Sequence, residues 1–193
     1  MSSEQRLFGR YHDIAILLIG FVFTTLVGGY LSYAWQNRAD EYERVAEDRR
    51  LELVAATHLF DELSRLMDRR LFRMRRLHTG LADRNRDPKT LEPRWEAYQE
   101  ALFDWNENLN RNLALTQRYF GTAARDVLER EINEGFRKLG ALLEGNGYPE
   151  EITSQYDYRQ RSADQLNSII YDFDLRLIEA IQSGAVGKFR HGP

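Results

Sequence analysis

The sequence predicts an all-α chain in which an N-terminal transmembrane helix continues into an antiparallel up-down-up-down four-helix bundle. Three observations carry this expectation. The run from Ile14 to Trp35 holds no charged residue, the remainder places apolar residues at helical spacing, and a few proline- and glycine-containing stretches cut it into helix-length segments. The organisation that follows is a short flank (1–13), a transmembrane helix (14–35), a helical stalk (36–54), the bundle (55–183) and a flexible tail (184–193).

A helix over 14–35 reaches roughly 33 Å at about 1.5 Å per residue, matching a hydrocarbon core of about 30 Å. Tyr30, Tyr33 and Trp35 cluster at its C-terminal end, where amphipathic rings prefer the interface, and His12 and Asp13 close the other end. Ser32-Tyr33-Ala34 resembles a signal-peptide cleavage site. The apolar run, however, outlasts the about 7–15 residues of a signal peptide, so a retained single-pass anchor is expected. Arg6 and Arg10 flank one side and Arg38, Arg44, Arg49 and Arg50 the other, which leaves orientation to length. Long domains translocate largely regardless of charge, so the expectation is a bacterial inner membrane with the N-terminus inside and the domain extracytoplasmic. Gly20, Thr24, Gly28 and Ser32 recur every four residues and so share one face. Such a small-residue stripe lets a second helix approach closely and points to a homodimer or a helical membrane partner.

Between Gln36 and about Val54 the chain is polar, as expected of a stalk; its apolar repeat is sparse for a coiled coil, although a dimer would let it form a short one. The first bundle helix then puts Leu59, Phe60, Leu63, Leu66, Met67, Leu71, Met74, Leu77 and Leu81 on one broad face. A turn is expected at Asn85 to Pro88, with Thr90 as N-cap and Pro93 in the first turn of a second helix. That helix buries Trp95, Tyr98, Leu102, Trp105, Leu109, Leu113 and Phe120 and stops at Gly121. A third helix runs from Ala123 to about Glu144, burying Ala124, Leu128, Ile132, Leu139, Leu142 and Leu143, and breaks at Gly145-Asn146-Gly147-Tyr148-Pro149. A fourth, from about Glu150 to Ser183, carries Ala163, Leu166, Ile169, Ile170, Phe173, Leu177, Ala180 and Ile181 on one side. Short connections link only neighbours, hence the antiparallel order. This layout resembles the four-helix sensory modules of bacterial chemoreceptors and histidine kinases, in which a membrane helix continues into a long bundle helix. The resemblance is one of architecture, and the chain departs from it in having no second membrane helix and no signalling domain.

Composition excludes several classes of chemistry. A net charge of -3 gives no electrostatic case for nucleic acid, and the absence of cysteine removes disulfides, thiolate metal sites and a cysteine nucleophile together. No hydrolase, zinc-protease, phosphate-loop or dinucleotide motif occurs, so no catalytic residue, cofactor or metal is predicted. His58 and Glu62 are four apart, but a ferritin-like di-iron site needs Glu-x-x-His on two helices.

One feature of the first bundle helix stands out chemically. Arg70 falls within the apolar face between Leu63 and Leu77, where a guanidinium needs a partner. The second helix places Asn106 near Trp105 and Tyr98, with Trp95 one turn away, and Glu131 lies near the core of the third. Arg70, Trp95, Tyr98, Trp105 and Asn106 therefore form a candidate buried polar network or a pocket for a small anion. Arg65, Arg69, Arg73 and Arg76 form a basic stripe beside Asp61, Glu62 and Asp68, read as a largely ion-paired outer face. Two function classes remain: an anchored bundle acting by association with the bilayer, a second copy or a helical partner, and a ligand-sensing bundle.

Overall fold

The computed structural model describes the backbone of residues 3–82, 88–145 and 154–187. Its side chains are described from Phe21 onward, apart from positions 31, 34 and 37–40. Every element among these residues is helical, with no strand: α1 (Ser3–Ala82), α2 (Pro88–Asp126), a π-helical segment (Val127–Asn133), α3 (Glu134–Leu143) and α4 (Gln155–Gln182). No proline falls within Ser3–Ala82, so nothing in that stretch removes a main-chain donor. The chain divides into two compact units, residues 1–50 and 51–193.

The first unit is the N-terminal part of α1, and each of its described side chains from Phe21 to Arg50 is exposed. The expected anchor falls across the limit of description, since the side chains of residues 14–20, 31 and 34 lie outside it. Among the described residues, no helix is long and apolar enough to cross a membrane.

In the second unit the polar contacts fix helix order and direction. From Arg94 bonding to the Arg76 carbonyl (3.4 Å), through Arg69 with Asp104 (2.5 Å), to Arg111 with Glu62, α2 climbs as α1 descends. Arg75 with Asp164 (2.8 Å) and Ser64 with Asp174 (2.9 Å) set α4 antiparallel to α1 in the same way. The Trp105 indole donates to Asn133 at 2.9 Å, and the Tyr98 hydroxyl lies against Gly140, so α3 runs against α2. Gly135 lies against Leu166 of α4; a Cβ there would sit 2.7 Å from Leu166 Cδ1. The helices thus form an antiparallel bundle around one core, with Leu63, Met67, Met74 and Leu77 facing Trp105, Ile132, Phe136, Ile170 and Phe173. Each such side chain contributes about 1.5–3 kcal/mol by leaving water.

Several local expectations are corrected. Helix α2 begins at Pro88, so Thr90 is a first-turn residue instead of the cap. Proline at a helix start costs little, because its missing N–H would be unsatisfied there anyway. The Asn85–Asp87 part of the expected turn lies outside the described residues. The buried face of α2 runs through Tyr98, Ala101, Trp105, Asn112, Thr116 and Tyr119, while Trp95, Leu102, Leu109 and Leu113 are only half-buried. Ala101, Asn112 and Thr116 are as fully buried as Tyr98 and Trp105, although a hydrophobicity-weighted wheel gives them little weight. Gly121 does break the helix, at φ 88 and ψ 174, a conformation nearly confined to glycine.

The fourth helix starts at Gln155, later than expected, because extended Ser154 caps it by accepting from the Asp157 N–H. The tail is packed over 184–187. Gly184 at φ 62 closes a Schellman motif in which Gly184 N–H bonds to Ile181 and Ala185 N–H to Ala180. Val186 is then buried, and Gly187 N–H reaches the Tyr119 carbonyl at 3.1 Å. At Gly187 a Cβ would overlap the Glu52 carboxylate. Residues 188–193 lie outside the described residues.

Candidate functional site

Arg70 projects from α1 into the middle of the bundle and is 4% exposed. Its guanidinium lies 4.6 Å from the Phe136 ring centroid and 5.7 Å from that of Trp105, so two aromatic faces cover the cation. Nε and Nη1 are buried with no hydrogen-bond partner. Burial pulls the group down to about 10, with the neighbouring Tyr98 opposing, so it stays charged at neutral pH. Burial likewise raises the Tyr98 phenol, and Arg70 counteracts this.

The neighbours of Arg70 depend on the π-helical segment. It buries Leu128 and Ile132 and holds Asn133 against the Trp105 indole, and α3, which continues from it, carries Phe136 to Arg70. Trp105 meets Phe136 edge-on at 5.1 Å, and Trp95 touches Tyr98 at 5.7 Å from its half-buried position. The structure therefore brings Arg70, Tyr98 and Trp105 together and leaves Trp95 at the margin. Asn106 and Glu131 are exposed and take no part in this cluster, because each points one helical step away from the buried line of its helix. In the asparagine run it is Asn112 that is buried, accepting from Arg111 Nε at 3.3 Å and Nη2 at 3.1 Å.

Other buried polar groups were not singled out in the sequence. His78 stacks on Tyr156 at 4.5 Å between centroids, and its Nε2 has no hydrogen-bond partner. Burial lowers it, Arg159 lowers it further, and a backbone bond with Tyr156 opposes. Arg159 is buried as well, one turn before Ala163 on the apolar face of α4, a periodicity that would have revealed it. Asp174 receives the Ser64 hydroxyl at 2.9 Å, and burial, aided by Asp68, pushes it up to about 6. A regular helical wheel places Phe136 between Ile132 and Leu139 on the buried face, so periodicity would have revealed it, whereas Asn133, one residue past Ile132, falls off that face.

The basic stripe is only partly paired. Arg69 bridges Glu100 (2.9 Å) and Asp104 (2.5 Å) of α2, and Glu62 pairs with Arg111, so the expected pairs along α1 give way to pairs between helices. His58 is exposed, and among the described residues no group of three or more potential ligand residues is placed to hold a metal. On the small-residue face Thr24, Gly28 and Ser32 are exposed, whereas the side-chain position of Gly20 lies outside the described residues. A Cβ at Gly28 or Gly29 would meet nothing within 4 Å. Compared with protein-family models, with curated proteins and with solved structures, the chain matches none.

Proposed function

We propose that the chain is a membrane-anchored, single-pass helical-bundle protein that acts through protein association, as a scaffold or accessory subunit and as a homodimer, with no catalytic activity. The observation that carries this reading is the apolar surface of α1 within the first unit. Phe21, Phe23, Leu26, Tyr30, Tyr33 and Trp35 are exposed around the whole helix, Phe21 at 71% and Trp35 at 74%. Among the described residues of their own unit every side chain is exposed, and apolar surface left in water costs about 25 cal/mol per Å². A bilayer covers such a surface, and Ile14 to Trp35 brings no charge into it. Thr24, Gly28 and Ser32 then give a second anchor helix room for close approach, which supports pairing inside the membrane.

Membrane fractionation with alkaline carbonate, followed by sizing in detergent, tests both parts. The full-length protein is expected to remain in the pellet and to size as a dimer, and the double variant Gly20→Leu, Gly28→Leu to size as a monomer. A protein that stays soluble without detergent overturns the anchor; wild type and variant sizing alike as monomers overturn the homodimer. A second reading, ligand sensing at Arg70, draws on the burial of a guanidinium whose Nε and Nη1 have no hydrogen-bond partner. The rings of Phe136 and Trp105 lie close over that group, which favours a packing role for it and hence the first reading.

A further inference from the structure

Arg73, Arg76 and Arg94 line one groove of about 400 Å³ between α1 and the first turns of α2, together with Thr90, Pro93 and Ala97. The volume lies in the range of small-molecule sites, roughly 300–1,000 Å³. The arginines around it differ from their neighbours in one respect. Arg69, Arg75 and Arg111 each reach a carboxylate on an adjacent helix, whereas none of the three groove arginines forms an ion pair among the described residues. Arg73 has a buried Nε with no hydrogen-bond partner. Arg76 lies 5.9 Å from the Phe72 ring centroid, and Arg94 donates a long bond, 3.4 Å, to the Arg76 carbonyl. Like charges lining one groove disfavour one another, and an anion bound there relieves that repulsion.

The position of Arg94 is built into the fold. It crosses α1 at Gly80, where a Cβ would sit 2.7 Å from Nη1 and 3.1 Å from Cδ. Glycine there admits the side chain, and any larger residue displaces the guanidinium. The first turn of α2 adds the positive end of its helix dipole to the same wall.

We infer that this groove binds a small soluble oxyanion, a phosphate or a carboxylate, held by the guanidinium groups of Arg73, Arg76 and Arg94. The proposal is independent of the membrane reading, because it concerns the second unit alone. Calorimetric titration of the full-length protein in non-ionic detergent, with inorganic phosphate and with citrate at ionic strength fixed by sodium chloride, tests it. Saturable binding of at least one of the two anions is expected. Losing one charge-assisted contact, in Arg76→Gln or Arg94→Gln, should weaken it about tenfold. Gly80→Ala, which moves Arg94 without removing a charge, should weaken it as well, and Arg65→Gln, an exposed arginine on the same helix, should leave it unchanged. Circular dichroism confirms that each variant folds. The inference is overturned if neither anion saturates, or if Arg65→Gln weakens binding as much as Arg76→Gln and Arg94→Gln do.

Discussion

Arg70 shows how a single side chain joins apolar packing to charge. Its stem continues the face between Leu63 and Leu77, while its head rests against Phe136 and Trp105 with Nε and Nη1 unpartnered. A buried cation without an acidic partner adds little to stability, since cation–π attraction of about 0.5–2 kcal/mol is set against its desolvation. Arg70→Met, with a similar stem and favourable sulfur–ring contacts, is therefore expected to melt at or above the wild-type temperature; a clear drop in thermal denaturation would count against this. Asp174 predicts a pH effect. Its carboxyl is raised from 3.8 to about 6, so between those values the folded chain holds a proton that the unfolded chain has released. Stability accordingly falls as pH rises through that window and stays lower above it. Asp174→Asn keeps an acceptor for Ser64 and removes the penalty. It should raise the melting temperature by roughly 2–4 °C at pH 7.5 and converge with wild type near pH 4, and an equal or lower value at pH 7.5 would refute the assignment. His78 acts in the opposite sense: lowered from 6.5 by burial, it withdraws stability as pH drops below that value.

Among the elements, the segment from α2 to α3 departs furthest from regular helix. The sequence places its break correctly, because glycine after Phe120 marks a stop, and the structure puts Gly121 at φ 88 and ψ 174. Gly121→Ala is expected to cost about 1–3 kcal/mol in chemical denaturation, and a neutral result would mean that the break is not needed. The π-helical segment that follows was not legible. A wheel drawn at a fixed angle cannot show that Val127–Asn133 widens its turn, so Asn133 as partner of Trp105 was hidden, whereas Phe136, between Ile132 and Leu139 on a regular wheel, was open to periodicity. The start of α4 was available in the sequence, since Ser154 and Asp157 form an S-x-x-D signature, but the more conspicuous Gly–Pro breaker before it drew the boundary too early.

For the whole molecule, the division between residues 1–50 and 51–193 has a consequence for folding. The core is drawn entirely from the second unit, with Val186 of the tail completing it. Residues 51–193 produced alone should therefore be helical, detergent-free and cooperative in thermal unfolding; a non-cooperative melt would show that the N-terminal part of α1 is needed for folding. The sequence by itself determined the all-helical class, the existence of four helices and most of the apolar residues between them, because 3.6-residue periodicity and breaker residues are local signals. Only the tertiary structure decided which polar groups the helices enclose. Whether Asn106 or Asn112 turns inward, and whether Arg69 pairs along its helix or across to α2, depends on helix rotation and close approach, which neighbouring helices set and no single helix encodes.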